Sequence, residues 1–254
     1  MKHLVTGAKS GLGKYLADQL VSEPFFRNSS VKEITNRPVG FNAIIHCATS
    51  SARPGNQHGL YQYMKDTLYL TEEITKVPHN LFVYISSIDV YPRDQETHFE
   101  DENICLQEKL NLYAATKLQC EEIVKANCQR FLILRPGMLL GRDMRPNNLT
   151  RLIGRDTGEL TLCADSTFYI TTHQLILSFI EQALHSDITG IFNAVPSKSL
   201  RLKDLQRLYN PDIEMGSHLY QSGIISNKKI AHINPAYSVD SIELVKKTWP
   251  PMKK

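Results

Sequence analysis

Three glycines near the start of the chain limit the folds that this sequence can adopt. Residues 3–6 read as a short apolar strand, and residues 12–20 continue as an amphipathic helix with leucines on one face. Glycines between such a strand and helix permit a tight turn, close approach of backbone to a pyrophosphate, and packing of the helix on the strand. We therefore predict a dinucleotide-binding loop, with a purely structural glycine loop as the alternative. The predicted cofactor contacts are Gly7, Lys9, Ser10, Gly11, Leu12 and Gly13.

The second strand of such a unit normally ends in an acidic residue that binds the adenosine ribose. The candidate strand here is 31–35, and Arg37 stands beyond its end instead of an acid. A guanidinium can bind the 2′-phosphate of NADP, with Lys9 as a second cation, so NADP is favoured and NAD remains possible. A solvated arginine in a turn before Pro38 is an equal alternative.

Residues 41–49 form an apolar run that predicts a buried parallel strand. The run ends in small residues, Cys47 and Ala48, which leave room for a ligand in the crevice at the end of the sheet, so both are predicted cofactor contacts. His46 lies inside the strand and is interpreted as a packed core residue. A helix over 60–76 and a further strand over 81–85 follow.

Tyr113 and Lys117 are four residues apart on a predicted helix and therefore lie on one face. An ammonium beside a phenol favours the phenolate and lowers a pKa that is ordinarily near ~10, which makes a general acid/base unit. Ser87 and Asp89, after the strand 81–85, could bind a substrate oxygen and act as a second acid or base. Chance spacing of tyrosine and lysine, and turn or cap roles for serine and aspartate, are the alternatives.

The composition is that of an ordinary globular protein. The chain has 254 residues, 42% hydrophobic and 22% charged, with a net charge of +3 spread along the sequence, so nucleic acid and membrane surfaces are not expected as partners. No run of about 18 apolar residues and no signal peptide are seen, and a cytoplasmic location is expected. Five cysteines without Cys-x-x-Cys spacing are interpreted as reduced thiols, with no metal site.

These segments together resemble the extended short-chain dehydrogenase/reductase family, which includes nucleotide-sugar epimerases, 4,6-dehydratases and reductases. The segment from Thr6 to Gly13 is similar to its cofactor loop, and 86–91 to its Ser-Ser-x-x-Val-Tyr segment. Tyr113 and Lys117 match its Tyr-x-x-x-Lys, and 134–137 its Arg-Pro segment. The resemblance covers nearly the whole chain.

The resemblance implies an α/β fold, a Rossmann-like doubly wound parallel sheet with a small C-terminal substrate-binding lobe. The Rossmann domain would comprise 1–141 and 166–196, and the small lobe 142–165 and 197–254. It further implies that Ser87 holds the substrate oxygen, Tyr113 transfers its proton, and Lys117 lowers the tyrosine pKa and binds the nicotinamide ribose, with Pro136 as another cofactor contact. Asp89 would be an additional acid or base. Because Ile88 stands where dehydratases carry an aspartate, 4,6-dehydration is disfavoured.

Two departures from the family concern ligand binding. About a strand and a helix are missing between Arg37 and Phe41, which favours the reductase branch. Residues 144–149 resemble a Pro-Asn-Asn-Leu segment that lies against the substrate diphosphate in sugar-nucleotide epimerases, and a turn that caps the next helix is equally compatible. The predicted substrate-binding residues are Ser87, Arg142, Asn147 and Asn148, with further positive charge from Arg145 and Arg151.

Two functions are compatible with this sequence. The first is an NADP-dependent reductase or epimerase acting on a sugar, favoured as nucleotide-linked. The second is a catalytically idle NADP-binding sensor with the same fold. Family members commonly dimerise through two helices, here 60–76 and 107–127.

Overall fold

The protein is built on one parallel sheet. A computed structural model describes residues 2–50, 57–104, 111–144, 146–154 and 156–251. The strands in chain order are β1 (His3–Thr6), β2 (Ser22–Phe25), β3 (Phe41–His46), β4 (His79–Ile85), β5 (Thr97–His98), β6 (Phe131–Pro136), β7 (Met138–Leu140), β8 (Thr167–Phe168), β9 (Ile170–Thr172), β10 (Gly190–Ala194), β11 (Leu200–Arg201) and β12 (Ile224–Ile225).

Helices connect and cover these strands. In chain order they are α1 (Gly11–Gln19), α2 (Val31–Thr35), α3 (Gln57–Met64), α4 (Leu70–Thr75), α5 (Leu112–Asn127), α6 (Asn148–Leu152), α7 (His173–Leu184), α8 (Leu202–Tyr209), α9 (Lys228–Ile233) and α10 (Ser241–Thr248), with a π-helical turn over Lys65–Tyr69 and 3-10 turns over Ile88–Val90 and Pro235–Tyr237. None of the described helices is long and apolar enough to cross a membrane.

The strand order defines the fold class. Six strands pair in the order β10-β6-β4-β3-β1-β2, and every pairing in this sheet is parallel. The chain leaves β1 for β2 on one side and then returns to place β3 on the other side. Ligands of open parallel sheets bind at such a switch point, at the carboxyl ends of the strands. The predicted Rossmann-like fold is confirmed.

The second strand is not where the sequence predicted it. Residues Val31–Thr35 form the short helix α2, and the strand beside β1 is Ser22–Phe25. β-branched Val31 and Thr35 favoured a strand, but on the helix Ile34 points into the core and is 5% exposed. Pro24 argued against a strand at residues 22–25, because proline cannot donate a backbone hydrogen bond. It is tolerated there because β2 is the edge of the sheet. The edge position of β2 agrees with the prediction that about a strand and a helix are missing between Arg37 and Phe41.

Both faces of the sheet are buried. Along β4, Leu81, Val83 and Ile85 pack into the cluster that contains α7, whereas Phe82 and Tyr84 pack into the cluster that contains α5 residues. This alternation is what a sheet covered on both sides requires.

The predicted core role of His46 is confirmed. The ring nitrogens hydrogen-bond with the Thr6 and Thr71 hydroxyls at 2.8 and 3.0 Å, and the side chain is fully buried. Burial lowers the pKa of His46 to about 3, which keeps the ring neutral.

The helices next to the site agree in part with prediction. The predicted helix 60–76 is a continuous helical run made of α3, the π-helical turn and α4. Helix α5 begins after Asn111, whose side chain accepts a hydrogen bond from the Ala114 amide at 2.9 Å. The predicted start of this helix at 107 lies outside the described residues.

A separate apolar cluster joins the segments assigned to the small lobe. Leu149, Leu162, Leu205 and Trp249 pack in it together with Phe168 of β8. The domain division itself stays a prediction. Cys47, Cys120, Cys128 and Cys163 are free thiols, and Cys105 lies outside the described residues.

Candidate functional site

A cleft of about 760 Å³ opens at the carboxyl ends of β1 and β3, at the switch point of the sheet. Eight of the predicted cofactor residues line it: Gly7, Lys9, Ser10, Gly11, Leu12, Gly13, Cys47 and Ala48. The glycine turn therefore faces the cleft, with the first turn of α1 directly behind it.

Two of the glycines are required by close packing of the turn. Gly7 has φ of 70°, and a Cβ there would lie 2.9 Å from the Ala48 amide nitrogen. A Cβ on Gly13 would lie 2.4 Å from the Gly7 carbonyl oxygen. Gly11 has φ of 60°, and among the described residues other than its chain neighbours no atom lies within 4 Å of the position that its Cβ would take. The predicted tight turn and helix packing are thus present, and Gly11 faces open space.

Two polar atoms of residues that line the cleft have no partner. The Thr49 hydroxyl and Nδ1 of His173 are buried and have no hydrogen-bond partner in the described part of the chain. Both atoms are closed off from solvent, and Nδ1 of His173 lies against Gly141, so neither faces a ligand. The side of the cleft that suits a pyrophosphate is the glycine turn with the start of α1, where a Cβ on Gly7 or Gly13 would collide with backbone. The residues present fit a dinucleotide.

The adenosine end of the cleft differs from the sequence prediction. Arg37 is not among the lining residues; it makes a two-pronged ion pair with Glu23 on the edge strand, with both distances 2.6 Å. Arg27 stands after the true second strand, lines the cleft and pairs with Asp66 of the π-helical turn. The position of Arg37 does not support its assignment, because the second strand ends at Phe25 rather than at residue 35.

The predicted catalytic side chains converge after β4. Ser87 caps the 3-10 turn and accepts a hydrogen bond from the Asp89 amide at 3.1 Å. Tyr113 lies in the first turn of α5, and the Ser87 hydroxyl is near enough to that of Tyr113 to lower its pKa. Lys117, one turn further, is 3% exposed, and its Nζ donates to the Ile85 carbonyl at 2.7 Å. Ile85 in turn lines the cleft.

The electrostatics of Tyr113 differ from expectation. Although Tyr113 is 38% exposed as a residue, loss of hydration at its hydroxyl raises its pKa above the usual value, the negative charge of Asp89 raises the pKa further, and the Ser87 hydroxyl lowers it. The Nζ atom of Lys117 lies 5.8 Å from the centre of the Tyr113 ring and donates a hydrogen bond to the Ile85 carbonyl instead. The predicted lowering of the tyrosine pKa by Lys117 is therefore not what this arrangement gives. Burial lowers the pKa of Lys117 itself.

The residues predicted to bind substrate are mostly engaged elsewhere. Asn147 lines the cleft but caps α6, accepting from the Leu149 and Thr150 amides at 2.8 and 3.2 Å. Asn148 accepts from the Thr161 amide at 2.9 Å and does not line the cleft. The capping alternative is the one that the structure shows.

Of the basic residues predicted nearby, Arg142 is exposed away from the cleft lining and Arg151 pairs with Asp156 at 3.2 Å. Arg145 lies outside the described residues. Pro136 also does not line the cleft, where Met138 and Leu139 stand instead. These assignments of Arg142, Asn148 and Pro136 are therefore not supported by their positions.

A buried polar network that the sequence did not reveal holds the serine turn. Arg135 makes two hydrogen bonds to Glu121, at 3.0 and 2.6 Å, and a third to the Tyr91 hydroxyl at 2.6 Å. Ser86 donates to Glu121 at 2.5 Å. The pair joins α5 to β6 and fixes the residue next to Ser87.

Three further contacts had no local sequence signal. The Gly11 amide donates to the Asp143 carbonyl at 2.9 Å, so the segment after β7 lies against the glycine turn. His173, at the start of α7, is 2% exposed and lines the cleft. Tyr220 donates to Asp89 at 2.8 Å. Each of these contacts brings together residues that are far apart in the sequence. A periodic pattern of apolar residues cannot predict such contacts.

A parallel sheet with a glycine turn at its switch point, and a serine, tyrosine and lysine grouped after β4 with the lysine bonded to the cleft residue Ile85, define a dinucleotide-dependent enzyme of the short-chain dehydrogenase/reductase type. Residues 3–160 match the NAD dependent epimerase/dehydratase family. The chain belongs to this family, and the predicted family is confirmed.

Solved structures share the fold at low sequence identity. A dTDP-4-dehydrorhamnose reductase from Clostridium acetobutylicum is 19% identical, with a TM-score of 0.77 over 98% of both chains. A second such reductase, from Bacillus anthracis and in complex with NADP, is 18% identical, with a TM-score of 0.74 over 92% of both chains. A UDP-glucuronic acid 4-epimerase from Bacillus cereus, in complex with UDP-glucuronic acid and NAD, is 17% identical, with a TM-score of 0.72 over 98% of this chain and 100% of that one. No curated protein matches the chain in sequence.

Proposed function

We propose that the protein is an NAD(P)-dependent reductase or epimerase that transfers hydride at a carbonyl or hydroxyl carbon of a nucleotide-linked sugar. The observation that carries this proposal is the position of Lys117, whose ammonium bonds the carbonyl of Ile85, a residue that lines the dinucleotide cleft. Ser87 follows Ile85 by two residues and Tyr113 precedes Lys117 by one helical turn, although neither Ser87 nor Tyr113 lines the cleft itself. Similar folds in complex with NADP or NAD support the cofactor type.

Each side chain has a role that its surroundings support. Ser87 would hold the substrate oxygen and Tyr113 would exchange a proton with it. A tyrosine hydroxyl has an ordinary pKa near ~10, so it is protonated at neutral pH and can donate a proton to an oxygen that gains negative charge. Lys117 would hold the nicotinamide ribose, and the bound nicotinamide would supply the hydride.

Arg27 supports a preference for NADP. It follows β2, lines the cleft, and is 73% exposed, so it can turn from Asp66 to a 2′-phosphate without breaking buried packing. A guanidinium binds a phosphate through two parallel hydrogen bonds. Phe26 and Tyr69 line the same end of the cleft, so the adenosine side keeps apolar walls despite the missing strand.

The alternative of an idle sensor loses its main argument. It rested on the shortened adenosine side, which is nevertheless lined by Phe26, Arg27 and Tyr69. A sensor would also not require the hydroxyls of Ser87 and Tyr113 to lie near each other.

Calorimetric titration with NADPH and, separately, with NADH tests the cofactor. Tight binding of NADPH is expected, with weaker binding of NADH. Turnover is then measured with NADPH and dTDP-4-dehydrorhamnose as reductase substrate, and with UDP-glucose and UDP-glucuronic acid as epimerase substrates. Absence of binding by both dinucleotides would contradict the proposal.

We also propose a homodimer through the helical run 57–75 and α5. Tyr61 and Met64 of α3 and Leu112 of α5 are exposed apolar side chains, 58%, 36% and 37% exposed. Light scattering of the purified protein should give twice the mass of one chain; the mass of a single chain at high protein concentration would contradict this arrangement.

A further inference from the structure

Tyr220 lies in the segment assigned to the small lobe, yet its side chain reaches the catalytic turn. Its hydroxyl donates to Oδ1 of Asp89 at 2.8 Å, across 131 positions of sequence. Arg93 donates to the same oxygen at 3.0 Å. Among the described residues no donor bonds Oδ2 of Asp89. One carboxylate oxygen is therefore anchored twice, and the other is left for a ligand.

Tyr220 is itself held in place from several directions. Its amide donates to the Ser166 hydroxyl at 3.1 Å, and its carbonyl accepts from the Thr167 amide at 2.8 Å. The ring stacks on Phe168 with centroids 5.0 Å apart and planes 8° apart. The Arg93 guanidinium lies 4.4 Å from the ring centre on top of it. A side chain fixed at backbone and ring can impose a position on the group that it bonds.

The anchored Asp89 carboxylate lies among the predicted catalytic side chains. The Asp89 amide bonds the Ser87 hydroxyl, and the Asp89 charge acts on the Tyr113 hydroxyl. Rotation of the Asp89 side chain would leave its amide bond to Ser87 in place but would change the negative charge near the Tyr113 hydroxyl. It would also move the free Oδ2 relative to the substrate.

We propose that Tyr220 is a positioning residue that holds the Asp89 carboxylate in a fixed orientation relative to Ser87 and Tyr113. The segment assigned to the small lobe would in this way supply a hydrogen bond to the turn that carries Ser87 and Asp89. This inference rests on the proposed function. Without the Tyr220 hydroxyl, Arg93 is the only side-chain donor to Asp89 among the described residues. The Asp89 carboxylate can then rotate about that single contact. Misplacement of a group that acts in the transition state lowers kcat more than it raises KM.

A double-mutant cycle in the full chain tests this role. Wild type, Tyr220→Phe, Asp89→Asn and the double variant are compared with NADPH or NAD and whichever of dTDP-4-dehydrorhamnose, UDP-glucose or UDP-glucuronic acid the wild type turns over fastest. Tyr220→Phe keeps the ring and both stacking contacts. The matched control is Tyr209→Phe, which removes another lobe hydroxyl, bonded to the Trp249 carbonyl, away from the cleft.

The expected result is a fall in kcat of about 10-fold for Tyr220→Phe, the scale of one charge-assisted hydrogen bond, with KM changed less than about twofold. In the Asp89→Asn background the same substitution should have no further effect, and Tyr209→Phe should match wild type. An equal loss in both backgrounds, a change in KM alone, or full activity of Asp89→Asn would overturn the role of Tyr220 and leave the proposed function standing. Absence of turnover by the wild type with all three substrates would overturn both.

Discussion

Glu121 and Arg135 form the buried ion pair behind the serine turn, and removal of the carboxylate should be strongly destabilising. The two side chains are 0% and 3% exposed, and Glu121 accepts two hydrogen bonds from Arg135 and one from Ser86. Glu121→Gln keeps the shape but leaves the Arg135 charge buried without a counter-charge. Breaking one side of a buried pair costs about 3–5 kcal/mol.

Urea unfolding measures this cost directly. At this chain length 1 kcal/mol shifts Tm by about 2–4 °C, so a fall of at least about 6 °C is also expected in calorimetry. Glu122→Gln is the matched control, because Glu122 is the next residue of α5, is 63% exposed and pairs with Lys125 at the surface. Its effect should be below about 1 kcal/mol. A loss below about 1 kcal/mol for Glu121→Gln would refute the reasoning, because the pair would then be screened or replaceable by water.

Three further predictions concern proton transfer, cofactor choice and pH. Tyr113→Phe should lower turnover by at least about 100-fold while calorimetry gives unchanged NADPH binding; comparable turnover would remove Tyr113 from the mechanism. Arg27→Ala should weaken binding of NADPH but not of NADH, whereas Arg37→Ala should change neither; equal losses of both dinucleotides in Arg27→Ala would argue against a 2′-phosphate contact. Because burial lowers the pKa of His46 to about 3, the unfolded chain binds this proton more readily, and stability is lost as pH falls below about 6.5. Between about pH 7 and pH 5 this group accounts for about 2 kcal/mol, and urea unfolding of His46→Gln at both pH values should show that much less pH dependence. An unchanged slope would mean that His46 is protonated in the fold.

Local patterns were sufficient for the parts of the fold that obey one periodicity or need one residue type. Gly7 was predicted from a turn that only glycine makes cheaply, and its positive φ and its contact with Ala48 agree. The buried strands β3 and β4 were predicted from continuous apolar runs. Tyr113 and Lys117 were placed on one helix face by a spacing of four, and that face points to the cleft wall at Ile85.

Local patterns failed where two structures satisfy the same residues. The segment Val31–Thr35 has the composition of a strand, but the edge position beside β1 was taken by Ser22–Phe25, and only one segment can pair there. Because of this error the sequence pointed to Arg37, whereas Arg27 is the arginine that follows the true second strand and lines the cleft. Asn147 and Asn148 fit both a phosphate site and a cap; the Asn147 side chain caps helix α6, and the Asn148 side chain accepts from the Thr161 amide.

The sequence by itself determined the glycine turn, the buried strands β3 and β4 and the common helix face of Tyr113 and Lys117, because each depends on residues close together in the chain. Only the tertiary structure decided which distant side chains support that group. Glu121 meets Arg135 from another element, and Tyr220 meets Asp89 across 131 positions. Such contacts depend on how helices and lobe pack, and packing is a property of the whole surface that each element buries rather than of a pattern along it.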